Sequence, residues 1–259
     1  MIISADQVRD SLPWLPLIDA LRRQFQQGCV MPVRHHHTIE QADGADATLL
    51  LMPAWIEGQY IGVKMVNVFP DNGMRQLPAI HGSYLLSSGQ TGQLLAIIDG
   101  PELTARRTAA ASALAADYLA RADSQRLLVV GTGKLSGNLI EAHAAIRPLQ
   151  QIVVWGRDTV KAEQLAESMR QRGYPVMAAN DLPEQCRQAD IISCATLSQQ
   201  PLISGEWLNP GTHVDLVGGF KPSMREADDE VIRRARIYVD THEGACAEAG
   251  DIVIPLQSG

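Results

Sequence analysis

The chain has 259 residues, of which 46% are hydrophobic and 20% are charged. This length suits one or two domains, and the composition excludes disordered and fibrous proteins. Lys and Arg number 22 against 29 Asp and Glu, which gives a formal net charge of −7. Because surfaces that neutralise phosphates are basic, we expect no nucleic-acid partner.

The N-terminus and the cysteines indicate a cytoplasmic protein with no membrane partner. No basic region followed by an apolar one opens the chain, as in an export signal, and no apolar run reaches the length of a membrane span. The four cysteines are widely spaced without a C-x-x-C pair, so we expect neither disulfides nor a zinc site. The adjacent histidines at 35–37 would point to alternate faces of an extended segment, so we predict no metal site there.

The first half of the chain predicts a helix followed by antiparallel strands. Apolar residues recur at helical spacing between residues 15 and 27. Glycines at the junctions between the extended runs that follow are typical of tight turns. These runs are expected at 47–57, 59–69, 79–88 and 92–99.

The second half alternates strands with helices. An alanine-rich segment from Pro101 predicts a long helix, and the composition change near it marks the domain boundary. Apolar strands are expected at 126–131, 151–156, 175–179, 189–196, 212–218 and 236–240, and helices at 135–146, 159–172, from 181 and at 224–234. Continuous apolar strands between helices are typical of a parallel sheet covered on both faces. We therefore predict an α/β protein with a doubly wound parallel sheet at 116–259, after a mixed, mainly antiparallel α+β domain at 1–115.

A glycine-rich turn between a predicted strand and a predicted helix has the pattern G-x-G-x-x-S. Gly131 would allow the tight turn, Gly133 would let backbone amides approach a pyrophosphate, and Ser136 is small enough to keep helix and strand close. The pattern predicts a Rossmann-type dinucleotide site; the alternative is a turn that binds nothing. The cofactor-binding candidates here are Gly131, Thr132, Gly133, Lys134, Leu135 and Ser136.

The end of the next strand bears on the choice of dinucleotide. An NAD site usually has an acidic residue here, whereas this chain has Gly156 and Arg157 after Trp155. Arg157 could pair with a 2′-phosphate, which favours NADP(H), with NAD(H) as the alternative. In that alternative Arg157 is an ordinary surface residue and Asp158 contacts the ribose.

Basic side chains of the first half are candidates for an anion site. Arg106 and Arg107 lie in the first turns of the Pro101 helix, where the helix dipole disfavours a cation. We expect one of them to bind an anion, a substrate carboxylate or a cofactor phosphate, and the other to be a surface residue paired with Glu102. Lys64 lies in an apolar strand, where it is either an edge residue reaching water or a buried amine in a site.

Several of these segments together resemble the ornithine cyclodeaminase/μ-crystallin family, from about residue 30 to the C-terminus. The segments with the strongest resemblance are V-K-M-V-N and L-T-A-R-R-T-A-A, and the glycine turn alone would fit many families. The matching segments are 31–34, 63–67 with Pro70, 103–110, 131–133 and 217–226.

The resemblance implies a homodimer in which residues 1–115 form the dimerisation and substrate-binding domain. Residues 116–259 would form the NAD(P)-binding domain, with the last of them returning towards the first domain. It also implies catalytic roles for Lys64 and Arg107, with Arg107 on the substrate carboxylate and Lys64 near the substrate nitrogen. The other residues that we expect at the substrate are Arg34 and His81, and those at the cofactor are Thr108, Thr196, Val214, Val217 and Gly218.

Departures from the family pattern discriminate between activities. Cyclodeaminases have an acid/base aspartate where this chain has Phe220, and a phenyl ring cannot relay a proton. The G-G-F-x-P-x-M-R-E version resembles the branch that reduces cyclic ketimines. Ser223 and Glu226 match a helix capping box, so we assign them no catalytic role. Family members usually continue well past the G-D-I-V-I-P-L segment, so we expect this chain to be shortened at its C-terminus.

The sequence thus predicts NAD(P)H-dependent reduction of Δ1-pyrroline-2-carboxylate or Δ1-piperideine-2-carboxylate to the cyclic amino acid. The binding partner would be this small imino acid or the amino acid that it yields. Two enzymatic alternatives remain, an ornithine cyclodeaminase and an amino-acid dehydrogenase on the same scaffold. A third alternative is a crystallin-like protein that binds NADPH without turnover.

Overall fold

A computed structural model describes residues 1–258 of the chain. It divides into a first unit, Met1–Arg107, and a second unit that begins at Thr108. Both this division and the boundary expected after residue 115 lie within one helix, Gly100–Leu119.

The first unit contains a six-stranded sheet with strand order β1-β6-β5-β4-β3-β2. Adjacent strands are antiparallel except for β1 and β6, so the mainly antiparallel domain is confirmed. Gly58 and Gly92 have φ angles of 68° and 72°, as the turns between strands require. The strands are β1 (Ile2–Ile3), β2 (His35–Ile39), β3 (Ala47–Ile56), β4 (Tyr60–Val68), β5 (Ile80–Ser88) and β6 (Leu94–Asp99).

The helices of the first unit include one that the apolar spacing predicted and one that it did not. The predicted helix is α2 (Trp14–Gln27). The unpredicted helix is α1 (Ala5–Ser11), which begins at a capping box formed by Ser4 and Gln7. A single 3-10 turn, Pro70–Arg75, separates β4 from β5.

The second unit contains a five-stranded, wholly parallel sheet with strand order β11-β10-β7-β8-β9. The strands are β7 (Arg126–Val130), β8 (Gln151–Trp155), β9 (Val176–Ala179), β10 (Ile191–Cys194) and β11 (His213–Leu216). Helix α3 (Gly100–Leu119) begins in the first unit and continues into the second. The other helices of the second unit are α4 (Lys134–Ile146), α5 (Thr159–Gln171), α6 (Leu182–Gln188), α7 (Asp229–Arg234), α8 (His242–Glu248) and α9 (Gly250–Ser258).

Two apolar clusters cover the two faces of this parallel sheet. Leu127 and Val129 of β7 belong to one cluster, and Leu128 and Val130 belong to the other. Because successive side chains of a strand point to opposite faces, both faces are packed, and the doubly wound fold is confirmed. The chain reverses its direction of travel across the sheet between β7 and β10, so the carboxyl ends of these strands form a topological switch point.

Near the C-terminus one predicted element is wrong and another is shorter than predicted. Residues 236–240 do not form a strand, and Ile237, Tyr238 and Val239 are exposed, so their apolar pattern is not matched by burial. The helix expected at 224–234 begins only at Asp229, with Asp228 as its N-cap. The capping box of Ser223 and Glu226 therefore does not form.

Within residues 1–258, no helix has both the length and the apolar character needed to cross a bilayer.

Candidate functional site

The glycine turn follows β7 at the switch point of the parallel sheet. Gly131 has a φ angle of 122°, and a Cβ atom there would lie 2.7 Å from the Ala195 carbonyl oxygen, so glycine is required. Gly133 is the N-cap of α4 and supplies no side-chain hydrogen bond, and a Cβ atom there would meet nothing within 4 Å. The first backbone N–H groups of α4 thus have open space beside them, which fits a pyrophosphate.

Neighbouring side chains hold this turn in shape. Ser136 is fully buried, and its hydroxyl donates to the Gly131 carbonyl oxygen at 2.9 Å. A Cβ atom at Gly156 would lie 2.6 Å from Thr132 Cγ2, so glycine at residue 156 leaves room for the Thr132 side chain. Lys134 is exposed and Leu135 is half-buried at the start of α4.

The end of β8 carries the residues that bear on the choice of dinucleotide. The Asp158 carboxylate accepts hydrogen bonds from the backbone N–H groups of Val160 and Lys161 at 3.0 and 3.1 Å, as the N-cap of α5. Arg157 is exposed directly after Gly156. Trp155 precedes them, and its indole Nε1 donates to the Asn180 carbonyl oxygen at 3.1 Å. Asp158 therefore caps α5 through one carboxylate oxygen, and both Arg157 and Asp158 are exposed at this strand end.

The ends of β10 and β11 carry the other cofactor candidates of this edge. Thr196 follows β10, while Val217 and Gly218 follow β11, and all three are half-buried. The Val217 N–H donates to the Cys194 carbonyl oxygen at 2.8 Å, which continues the pairing of the two strands. Val214 lies within β11 and packs against the second apolar cluster. Parallel strands thus bring the residues after β7, β8, β10 and β11 to one edge.

A carboxylate that the sequence analysis set aside lies between these strand ends. Glu226 is fully buried and accepts hydrogen bonds from both the backbone N–H and the hydroxyl of Thr196, at 2.6 and 2.7 Å. Its other oxygen accepts from the Gly218 N–H at 2.8 Å. Burial raises the pKa of Glu226 to about 6, although the hydrogen bonds from Thr196 and Gly218 act in the opposite direction.

Two arginines of the first unit lie near Lys64, which is in the middle of β4. Burial, and then the positive charges of Arg107 and Arg34, lower the pKa of Lys64 to about 8. Lys64 is half-buried on an inner strand of the sheet, so the edge residue of the two alternatives is excluded. The structure brings together Lys64, Arg34 and Arg107, three of the four predicted substrate residues, and we call these three side chains the cation cluster.

Strand register separates the fourth predicted substrate residue from the cation cluster. Lys64 of β4 is opposite Tyr84 of β5, and Asn67 is opposite His81. Because side chains alternate between faces, Tyr84 shares the face of Lys64 while His81 projects from the other face. Tyr84 was missed by the sequence analysis, and burial raises the pKa of its phenol.

The two adjacent arginines of α3 have different environments. Arg106 is 4% exposed, so it is not the surface residue that we expected for one of the pair. Its Nε and Nη2 donate to the Leu12 carbonyl oxygen at 3.0 and 2.6 Å, and its guanidinium lies 4.1 Å from the Trp14 ring. Arg107 is exposed, and Thr108, the next residue, is half-buried. Arg106 thus fastens the α1–α2 turn to α3, and Arg107 is the residue that contributes to the cation cluster.

Comparisons with known proteins agree with this architecture. The model of the ornithine cyclodeaminase/mu-crystallin family matches residues 4–258. A Δ1-pyrroline-2-carboxylate reductase from Paracoccus denitrificans is 40% identical over 93% of this chain and 79% of its own length. The structure of Thermococcus litoralis Δ1-pyrroline-2-carboxylate reductase with NADH and L-proline has a TM-score of 0.90 and 30% identity, covering 100% of this chain and 81% of that one. An archaeal alanine dehydrogenase dimer with bound NAD has a TM-score of 0.87 and 27% identity, with coverages of 100% and 79%.

Proposed function

The chain belongs to the ornithine cyclodeaminase/mu-crystallin family, and from this premise we propose that it reduces a small cyclic ketimine carboxylate with NAD(P)H. The substrate would be Δ1-pyrroline-2-carboxylate or Δ1-piperideine-2-carboxylate, and the product the corresponding cyclic amino acid. The observation that carries the proposal is the cation cluster, in which Arg34 and Arg107 lie close enough to lower the pKa of Lys64. Relatives named Δ1-pyrroline-2-carboxylate reductase support the same substrate class.

The cation cluster suits a compact anion with a basic nitrogen. A carboxylate between Arg107 and Arg34 would form charge-assisted hydrogen bonds and would relieve the repulsion among the cations. Lys64, with a pKa of about 8, would hold a proton near the imine nitrogen at neutral pH and could release it to that nitrogen. Tyr84, on the same face as Lys64, would line the ring of the substrate.

The dinucleotide would be held by the carboxyl edge of the parallel sheet. The N–H groups at the start of α4 and the open space at Gly133 would accommodate the pyrophosphate, with Thr108 also near the phosphates. Thr196, Val217 and Gly218 would border the nicotinamide. When bound, the dinucleotide supplies the hydride that, with one proton, converts the C=N bond to CH–NH.

Reduction is favoured over cyclodeamination by the residue at position 220. Phe220 is 53% exposed after β11, and its ring has no proton to exchange where cyclodeaminases carry an acid. Net reduction needs only hydride and the proton that Lys64 would supply. Ammonia elimination without net redox change needs an additional acid/base group.

A preference for NADP(H) over NAD(H) is a further part of the proposal. It is supported by the exposed Arg157 and by the engagement of Asp158 as a helix cap. The named structural neighbours bind NADH or NAD, and comparison of NADPH with NADH tests the preference in this chain. Arg157→Asp should shift the preference towards NADH, because it replaces a partner of the 2′-phosphate by a group that repels it.

A homodimer is also proposed. The archaeal alanine dehydrogenase neighbour is a dimer. Every residue of the edge strand β2 is exposed in the single chain, which supports a contact at that edge.

The test is oxidation of NADPH and NADH with the five- and six-membered ketimine carboxylates. Arg107→Ala and Lys64→Ala should each lower kcat/KM by about 100-fold or more, because truncating one partner of a desolvated charge pair costs about 2–5 kcal/mol. Arg23→Ala is a matched control, since Arg23 is exposed on α2 outside the cation cluster. Full activity of both cluster variants would refute the assignment. Ammonia release from ornithine without net cofactor reduction would establish the cyclodeaminase instead.

A further inference from the structure

A single buried carboxylate joins the chain after β10 to the chain after β11. One oxygen of Glu226 accepts from the Thr196 N–H and hydroxyl, and the other accepts from the Gly218 N–H. A Cβ atom at residue 218 would lie 2.1 Å from the Thr196 carbonyl oxygen, so the two segments are in direct contact. Both carboxylate oxygens of Glu226 thus accept hydrogen bonds from residues that we expect beside the nicotinamide.

The backbone at Glu226 is itself held by hydrogen bonds to Asp251. Asp251, in the first turn of α9, accepts from the backbone N–H groups of Glu226 and Ala227 at 2.9 and 2.8 Å. These bonds direct the segment away from the helix that the sequence predicted and point the Glu226 side chain at Thr196. A buried carboxylate is costly unless hydrogen bonds satisfy it, and here three donors do so.

The hydrogen bond to Glu226 determines what the Thr196 hydroxyl can offer a ligand. A hydroxyl has one donor hydrogen and two acceptor lone pairs. The hydrogen of Thr196 goes to Glu226, and the Ser198 N–H approaches the same oxygen at 3.3 Å. The remaining capacity of Thr196 is that of an acceptor, and the carboxamide NH2 of a nicotinamide is a donor.

We propose that Glu226 is a positioning residue for the nicotinamide. It fixes the Thr196 hydroxyl as an acceptor for the carboxamide NH2, and it holds Gly218 against Thr196. This inference rests on the proposed binding of a dinucleotide at the same edge. It assigns Glu226 no contact with substrate or cofactor. Its action is transmitted through Thr196.

The surroundings of Glu226 give the proposal a pH signature. The groups that face it are the Cys194 thiol on β10 and Asp251 on α9, whose pKa values are both raised by burial, with Arg225 near Asp251. With its pKa near 6, Glu226 is ionised at neutral pH and accepts from all three donors. Protonation below that pH removes acceptor capacity, so dinucleotide affinity should fall as the pH decreases through about 6.

The experiment compares NADH with reduced 3-acetylpyridine adenine dinucleotide, in which a methyl group replaces the carboxamide NH2. We expect wild type to bind NADH about tenfold more tightly than the analogue by calorimetry. Thr196→Val and Glu226→Gln should each remove most of this preference. The double variant should lose no more than Thr196→Val alone, because both changes affect the same hydrogen bond. Glu226→Gln should also lack the fall in NADH affinity near pH 6.

Asp228→Asn is the matched control. Asp228 lies two residues from Glu226 and also accepts backbone N–H groups, from Gly205 and Val231. It should therefore change stability without changing the preference for NADH over the analogue. Thr196→Ser, which keeps the hydroxyl, should retain the preference, and this variant remains informative if Glu226→Gln does not fold.

The outcomes separate this inference from the proposed function. A wild type that binds NADH and the analogue equally, or a folded Glu226→Gln that keeps the preference, overturns the inference alone. Additive effects of Thr196→Val and Glu226→Gln would also overturn it. A wild type that binds neither NADH nor NADPH overturns both proposals.

Discussion

The two units place charged side chains in opposite situations. In the first unit, Arg34 and Arg107 lie near Lys64, so their charges add to burial in lowering its pKa. In the second unit, hydrogen bonds from Thr196 and Gly218 to Glu226 counteract the effect of burial. An added anion would reduce the repulsion within the cation cluster. The Glu226 carboxylate, in contrast, already accepts hydrogen bonds from Thr196 and Gly218. Repulsion among like charges therefore indicates a ligand-binding site, and a buried charge with hydrogen-bond partners indicates a structural role.

Arg106 is a cation, but like the Glu226 carboxylate it is buried and hydrogen-bonded within the protein. Arg106→Met keeps the apolar stem but removes two N–H groups from the Leu12 carbonyl oxygen and the cation–π contact with Trp14. We expect a loss of about 2–3 kcal/mol in the free energy of unfolding, measured by urea denaturation. Arg107→Met is the control and should leave stability within about 0.5 kcal/mol. Equal losses from both variants would show that the adjacent arginines have the same role.

Substitution of Lys64 tests how much its burial and the repulsion within the cation cluster destabilise the fold. Its pKa is lowered from 10.5 to about 8, so the folded state binds fewer protons than the unfolded state between these values. The stability cost is therefore complete below pH 8 and is relieved as the pH rises towards 10.5. Lys64→Met should be more stable than wild type at pH 7 by about 1–2 kcal/mol, after allowance for solvent screening. Urea denaturation should show this difference narrowing as the pH rises, and a constant difference would contradict the prediction.

The glycine turn allows a sharper comparison within three residues. Gly133→Ala should weaken dinucleotide binding about tenfold, since the methyl group occupies the space beside the start of α4. Its φ of −83° suits alanine, so stability should change by no more than about 1 kcal/mol. Gly131→Ala should instead destabilise the fold by about 1–3 kcal/mol, because its φ is 122° and the Ala195 carbonyl oxygen is too close. Calorimetric binding and thermal unfolding of both variants would separate the two roles.

The smallest effect is expected at Ser223. If it capped a helix, Ser223→Ala would cost about 1 kcal/mol. Since Ser223 is exposed and α7 is capped by Asp228, we expect a change within about 0.5 kcal/mol in thermal unfolding. Asp228→Ala is the contrasting variant and should show the larger loss.

The sequence predicted the features that depend on local patterns. The glycine turn needs only a strand, two glycines and a helix in order, and the alternation of strands and helices follows from apolar periodicity. Parity along β5 places Tyr84 and His81 on opposite faces, but only the register with β4, which pairs Lys64 with Tyr84, shows which of them shares the face of Lys64.

The role of Glu226 could not be predicted in this way. Its partners are Thr196, 30 residues earlier, and Asp251, 25 residues later. The local pattern of Ser223 and Glu226 was a plausible capping box. Contacts distant along the chain prevailed over the local signal at Glu226. At 236–240 the local pattern failed in another way, because the apolar run is exposed instead of packed in a strand.

Trp155 gives the carboxyl edge of the parallel sheet an intrinsic optical reporter. Its indole is fixed by the hydrogen bond to the Asn180 carbonyl oxygen, immediately before Gly156. Reduced nicotinamides absorb where tryptophan emits, so light absorbed by Trp155 can be transferred to a dinucleotide bound nearby. Occupancy of that edge can thus be followed through sensitised emission, without a dye and without turnover, and Trp155→Phe identifies the share of the signal that comes from this indole.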